Sequence, residues 1–93
     1  MIALYNRNAP FKVNAVNPFK EDLKINIFLP NEGNVFISLY DIFGRMITKK
    51  NMQFSKGTSQ ITLNDLGSLS PGMYVLRTEF NNKIVQNKLF KVN

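Results

Sequence analysis

Apolar residues recur at every second position through much of the chain, and this period limits the fold more than any other feature. Leu23, Ile25, Ile27 and Leu29 alternate with Lys24, Asn26 and Phe28. Val35, Ile37 and Leu39 alternate with Phe36, Ser38 and Tyr40. Residues two apart share one face of an extended strand, so each run reads as a half-buried β-strand and not as a helix. Turn residues separate the runs. Pro30-Asn31-Glu32-Gly33-Asn34 ends the first, and Asp41-Ile42-Phe43-Gly44-Arg45 ends the second, with Gly44 as the expected left-handed position.

The same reading extends along the chain. Pro10–Val16 is a first, edge-type strand, and Met46–Phe54 is a weaker, more polar one. Ser55–Thr58 is a turn and Ser59–Asn64 a short strand. Asp65–Gly72 is a loop, and Met73–Phe80 a strand with Tyr74, Leu76, Thr78 and Phe80 on one side. Asn81-Asn82 suits a two-residue hairpin turn, because Asn tolerates positive φ. Lys83–Val92 is the last strand. The spacing predicts an all-β, immunoglobulin-like antiparallel β-sandwich of about seven strands. Its expected core is Val13, Leu23, Ile25, Ile27, Val35, Ile37, Leu39, Ile61, Leu63, Tyr74, Leu76, Val85 and Leu89. Residues 1–9 read as a linker and 10–93 as one domain.

Composition excludes several functions. The chain of 93 residues has no cysteine and no histidine. That removes disulfides, the thiolate nucleophile, and the commonest general base and metal ligand. The acids Glu21, Asp22, Glu32, Asp41, Asp65 and Glu79 fall mostly in turns, without calcium-loop spacing. No glycine-rich phosphate loop is present. The expectation is a non-enzyme with no cofactor and no metal. The net charge of +6 comes from basic residues scattered between Arg7 and Lys91, with no nucleic-acid-binding motif. No apolar run approaches the roughly 18–20 residues that span a bilayer, so direct membrane insertion is not expected.

Four segments occur in an order that resembles one family. Asn17-Pro18-Phe19 precedes the strand beginning near Leu23. Leu39-Tyr40-Asp41-Ile42-Phe43-Gly44-Arg45 follows the next strand. Leu69-Ser70-Pro71-Gly72-Met73-Tyr74-Val75-Leu76-Arg77 opens a later strand, and Lys88-Leu89-Phe90-Lys91-Val92-Asn93 forms a lysine-bearing last one. Together they look like the type A C-terminal sorting domain of the type IX, or Por, secretion system of Bacteroidetes-type bacteria. Ala15 and Val16 depart from the family's usual aromatic and proline, and Gly72 follows Pro71 without a spacer.

The resemblance implies a domain at the C-terminus of a larger exported protein. Its cargo reaches the periplasm, is taken across the outer membrane by the secretion machinery, and is released or held at the cell surface. A sortase-like peptidase commonly removes the domain, here in or upstream of residues 1–10. The matching family positions are Asn17, Pro18, Asp41, Gly44, Arg45, Pro71, Gly72 and Tyr74. Asp41 and Gly44 are expected to build a turn, Asn17-Pro18 a bend at a strand entry, and Tyr74 to lie in the core with its hydroxyl at the rim.

Docking to the machinery is expected on the last strand, through Ile84, Lys88, Leu89, Phe90, Lys91 and Val92. With Val85 and Leu89 inward, Ile84, Gln86, Lys88, Phe90 and Val92 face out, an unusually apolar set. Sheet edges leave room for an edge-paired dimer. The alternative is a carbohydrate- or surface-binding sandwich appended to an enzyme, using Phe28, Phe36 and Tyr40 on one outward face.

Overall fold

The alternation becomes burial in the computed structural model, which describes residues 11–93. Strand β2 (Leu23–Leu29) turns Leu23, Ile25, Ile27 and Leu29 wholly out of solvent. Strand β3 (Gly33–Asp41) does the same with Val35, Ile37 and Leu39. These two strands supply facing layers of the interior. Each fully buried aliphatic side chain stabilises the fold by roughly 1.5–3 kcal/mol relative to exposure.

The remaining strands are β1 (Lys12–Ala15), β4 (Met46–Phe54), β5 (Gly57–Leu63), β6 (Gly72–Phe80) and β7 (Lys83–Lys91). They form one sheet ordered β1-β2-β5 and another ordered β4-β3-β6-β7. Every strand pairing is antiparallel. The result is the expected β-sandwich. Its fourth strand lies beside β3, whereas in constant-type immunoglobulin domains that strand joins the sheet of the first and second.

Turns set the registers. Asn81 and Asn82 both adopt positive φ, at 50° and 63°, as a two-residue hairpin with right-handed strand twist requires. Gly33 has a packing reason for lacking a side chain, since a Cβ there would lie 2.8 Å from Cε1 of Phe80. Phe80 in turn packs on Phe11, with ring centroids 5.6 Å apart, and closes one end of the core.

The structure corrects several expectations. Val85 is only half-buried, because β7 is an edge strand and at Val85 it is paired to β6 alone among the described residues. The core also takes in Phe11, Phe19, Leu29, Phe54, Leu66, Thr78 and Phe80. Phe19 and Leu66 lie outside the strands, where a two-residue period carries no signal. Strand β5 begins at Gly57, two residues earlier than expected, because its pairing with β2 runs on to Leu29. Phe28 belongs to the three-stranded sheet, while Phe36 and Tyr40 belong to the four-stranded one, so the three aromatics do not share a face. The expected linker, residues 1–9, lies outside the described residues.

The Ile37→Ala substitution is expected to cost about 2–5 kcal/mol, because Ile37 is fully buried between the sheets. Urea unfolding of the two proteins checks this, and a loss below about 1 kcal/mol would show that the interior collapses around the site.

Candidate functional site

Asp41 organises the tip of the β3–β4 hairpin. Its Oδ1 accepts hydrogen bonds from the amides of Phe43 and Arg45, both at 2.9 Å. Its Oδ2 accepts one from Nε of Arg45 at 2.7 Å. The Gly44 amide donates to the Asp41 carbonyl at 3.1 Å, and Gly44 has φ +82°. This is a tight turn followed by a left-handed residue, a geometry that glycine adopts without steric cost. Partial desolvation pushes the Asp41 carboxyl upward. The Arg45 amide, the Arg45 side-chain N–H, the Phe43 amide and the Arg45 charge together outweigh it and leave the carboxyl below its ordinary range.

A tyrosine pins the neighbouring loop. Tyr74 is buried, and its hydroxyl donates to the carbonyl of Ser70 at 2.7 Å. The bond resembles the tyrosine corner of immunoglobulin-like sandwiches, which ties the start of the sixth strand to the loop before it. Pro71 and Gly72 sit between the two partners, and Gly72 has φ +148°.

The third segment clasps the last strand. Asn17 Oδ1 accepts the Phe90 amide at 2.9 Å. The Phe19 amide donates to the Phe90 carbonyl, and the Val92 amide to the Phe19 carbonyl, both at 2.9 Å. Phe19 thereby adds a short parallel bridge to the outer edge of β7. Its ring is buried and meets Tyr74 edge-on, with centroids 6.1 Å apart. The Asn17–Pro18 bond is cis.

These contacts gather the family motif positions at one end of the sandwich. A cleft of about 280 Å³ between the hairpin tip and the β5–β6 loop is lined by Asp41, Arg45, Pro71, Gly72 and Tyr74, together with Ile42, Phe43 and Met73. The apolar members stand in solvent: Phe43 is 76% exposed and Ile42 65%. Met73 is 37% exposed and lies directly across from Phe90, which is 49% exposed. Arg45 also lies over the Phe43 ring, 5.5 Å from its centroid.

The docking residues expected on the last strand divide. Ile84, Lys88, Phe90 and Val92 are exposed. Leu89 and Lys91 point inward, at 2% and 4% exposure, and offer no side-chain surface. The physical reason is the strand period: an inward Leu89 places Lys91 on the same side. The Lys91 ammonium donates to the Val92 carbonyl at 3.0 Å. Sequence reasoning missed Ile42, Phe43 and Met73 as surface features. The signal was present as two adjacent apolar residues in a turn, where solvent exposure is the rule.

The pattern of the family described as a secretion system C-terminal sorting domain matches residues 17–92, most of the chain. The chain belongs to this family. Its members are sorting signals for type IX secretion, so the domain engages the secretion machinery and marks an attached cargo for secretion or the cell surface. No curated protein matches the chain.

Two expectations test the geometry. Because the folded carboxyl of Asp41 is depressed below 3.8, the turn gains stability above the unfolded value and loses it as pH falls through the folded one. A carboxyl-detected NMR titration will place the Asp41 midpoint below that of an ordinary aspartate, and Arg45→Ala will move it upward. Tyr74→Phe removes the bond to Ser70 and is expected to cost about 1 kcal/mol in urea unfolding.

Proposed function

We propose that the type IX machinery reads this sorting domain through the apolar end of the sandwich, where Ile42, Phe43, Met73 and Phe90 stand exposed. One observation carries the reading. The family motif side chains mostly satisfy backbone groups, while the side chains they hold in place are large, apolar and in solvent. Contiguous exposed apolar residues rimmed by polar ones mark protein-contact surfaces. Aromatic residues beside arginine are favoured anchors in such contacts.

In this reading Ile84, Lys88, Phe90 and Val92 extend the contact along β7, whereas Leu89 and Lys91 serve it by holding the strand in register. The cargo passes through the periplasm and across the outer membrane. A sortase-like peptidase then cuts ahead of the sandwich, in or upstream of residues 1–10. A cut there leaves β1 and everything after it whole.

Removing residues 89–93 would be a poor test. It takes away the buried Leu89 and Lys91 and the backbone groups that bind Phe19, so loss of folding would mimic loss of docking. Surface substitutions separate the two. A signal peptide, a fluorescent reporter and this chain are fused and expressed in a bacterium possessing the type IX system. Phe43→Ser and Phe90→Ser together are expected to lower export at least tenfold, with a change in stability near or below about 0.5 kcal/mol per site. Wild-type export by the folded double variant would overturn the proposal.

A further inference from the structure

The β6–β7 hairpin dictates which way each backbone group of β7 points. Phe80 and Lys83 close the two-residue turn as a hydrogen-bonded pair. Antiparallel pairing then alternates, so Lys83, Val85, Asn87, Leu89 and Lys91 direct their N–H and C=O groups to β6. Ile84, Gln86, Lys88, Phe90 and Val92 direct theirs to the outer edge. Phe90 and Val92 are paired there by Asn17 and Phe19. Among the described residues, the outward backbone groups of Ile84, Gln86 and Lys88 have no partner.

The other sheet edges are guarded. β1 is only four residues long. The outer strand β4 carries Lys49 and Lys50 and a register shift opposite Leu39 and Tyr40. The Lys50 ammonium reaches across to the Thr62 carbonyl on β5, at 3.4 Å. Short strands, lysines and bulges are the usual means of preventing edge pairing. On β7 the clasp protects residues 90 and 92 and stops short of 84–88. The stretch also holds an unmet side-chain acceptor, since Asn87 Oδ1 is enclosed without a hydrogen-bond partner among the described residues.

We infer that Ile84–Lys88 accepts an extended, acidic segment of the secretion machinery as an added β-strand. The inference rests on the sorting function and names the form the partner takes. Phe19 already demonstrates that this edge pairs with a passing chain, and the added strand would lie in line with it, ending where the clasp begins. Charge selects the partner. Lys88 lies on the outward face of this edge strand, Arg77 stands opposite Gln86 on the same face with Glu79 4.0 Å from it, and the chain carries +6. Carboxylates at alternate positions of an incoming strand would meet these cations. A second copy of the chain brings the same +6 and the same Lys88, so repulsion disfavours it. Backbone pairing supplies affinity in such complexes, and alternate side chains supply specificity.

The test uses proline. The Gln86 amide faces outward, so Gln86→Pro removes a donor from the edge and none from the β6–β7 ladder. In the reporter fusion, Gln86→Pro is expected to lower export at least tenfold and Gln86→Ala to leave it unchanged, with melting temperatures of both within a few degrees of wild type. Lys88→Glu, a surface change, is expected to lower export as well. If Gln86→Pro is exported normally, strand addition is overturned. If Gln86→Pro does not fold, Lys88→Glu decides: normal export overturns the acidic partner. Sedimentation of the wild-type chain at high concentration adds one more outcome, since a dimer abolished by Gln86→Pro would make the occupant a second copy and overturn the inference. The docking reading fails separately. Loss of export in the Phe43→Ser, Phe90→Ser variant with normal export of Gln86→Pro leaves that reading standing and removes only the added strand.

Discussion

The structure depends on two facing stripes of aliphatic side chains, one from β2 and one from β3, each drawn from alternate residues and sealed from water. A strand has no other way to bury one face while its second face stays wet. The stripes hold the sheets together, and the sheets fix the positions of everything at the ends. β6 completes the layer with Leu76 and Thr78, both fully buried between its neighbours. Thr78 Oγ1 has no hydrogen-bond partner among the described residues.

At the functional end, polar side chains hold and apolar side chains present. Asp41, Tyr74 and Asn17 each bond backbone groups of turns or strand ends, and Asp41 also holds the Arg45 side chain. The Asp41 and Tyr74 bonds shape their own turn and loop, while the Asn17 bond ties two distant segments together. Ile42, Phe43, Met73 and Phe90 make no such bonds and gain little from the fold. Side chains of that kind are costly to leave in water unless something covers them. The division explains why a small sorting domain can carry family motifs that look structural one at a time and still build a recognition surface together.

The two ends of the last strand differ for the same reason. Its C-terminal portion is locked by the Asn17–Phe19 segment, which crosses from the three-stranded sheet to the outer edge of the four-stranded one. In its earlier portion Ile84, Gln86 and Lys88 are exposed, and their outward backbone groups have no partner among the described residues. A strand finished at one end and open at the other gives a partner a defined place to begin pairing and a defined place to stop.

The strands, their inward faces and the hairpin turns were legible in the sequence, because period-two patterning and the φ preferences of Gly and Asn are local properties. The turn role of Asp41 and Gly44, and the buried ring of Tyr74, followed from the same local chemistry. What only the tertiary structure decided is which sheet each strand joins. That choice separated Phe28 from Phe36 and Tyr40, buried Phe19 and Leu66 outside any periodic run, and left Val85 half-exposed at an edge. It also set Asn17 beside Phe90, 73 positions away in the chain. Alternation tells a side chain to face in or out. It carries no information about the neighbour across the sheet, because partner choice is made by long-range packing and closure of the sandwich.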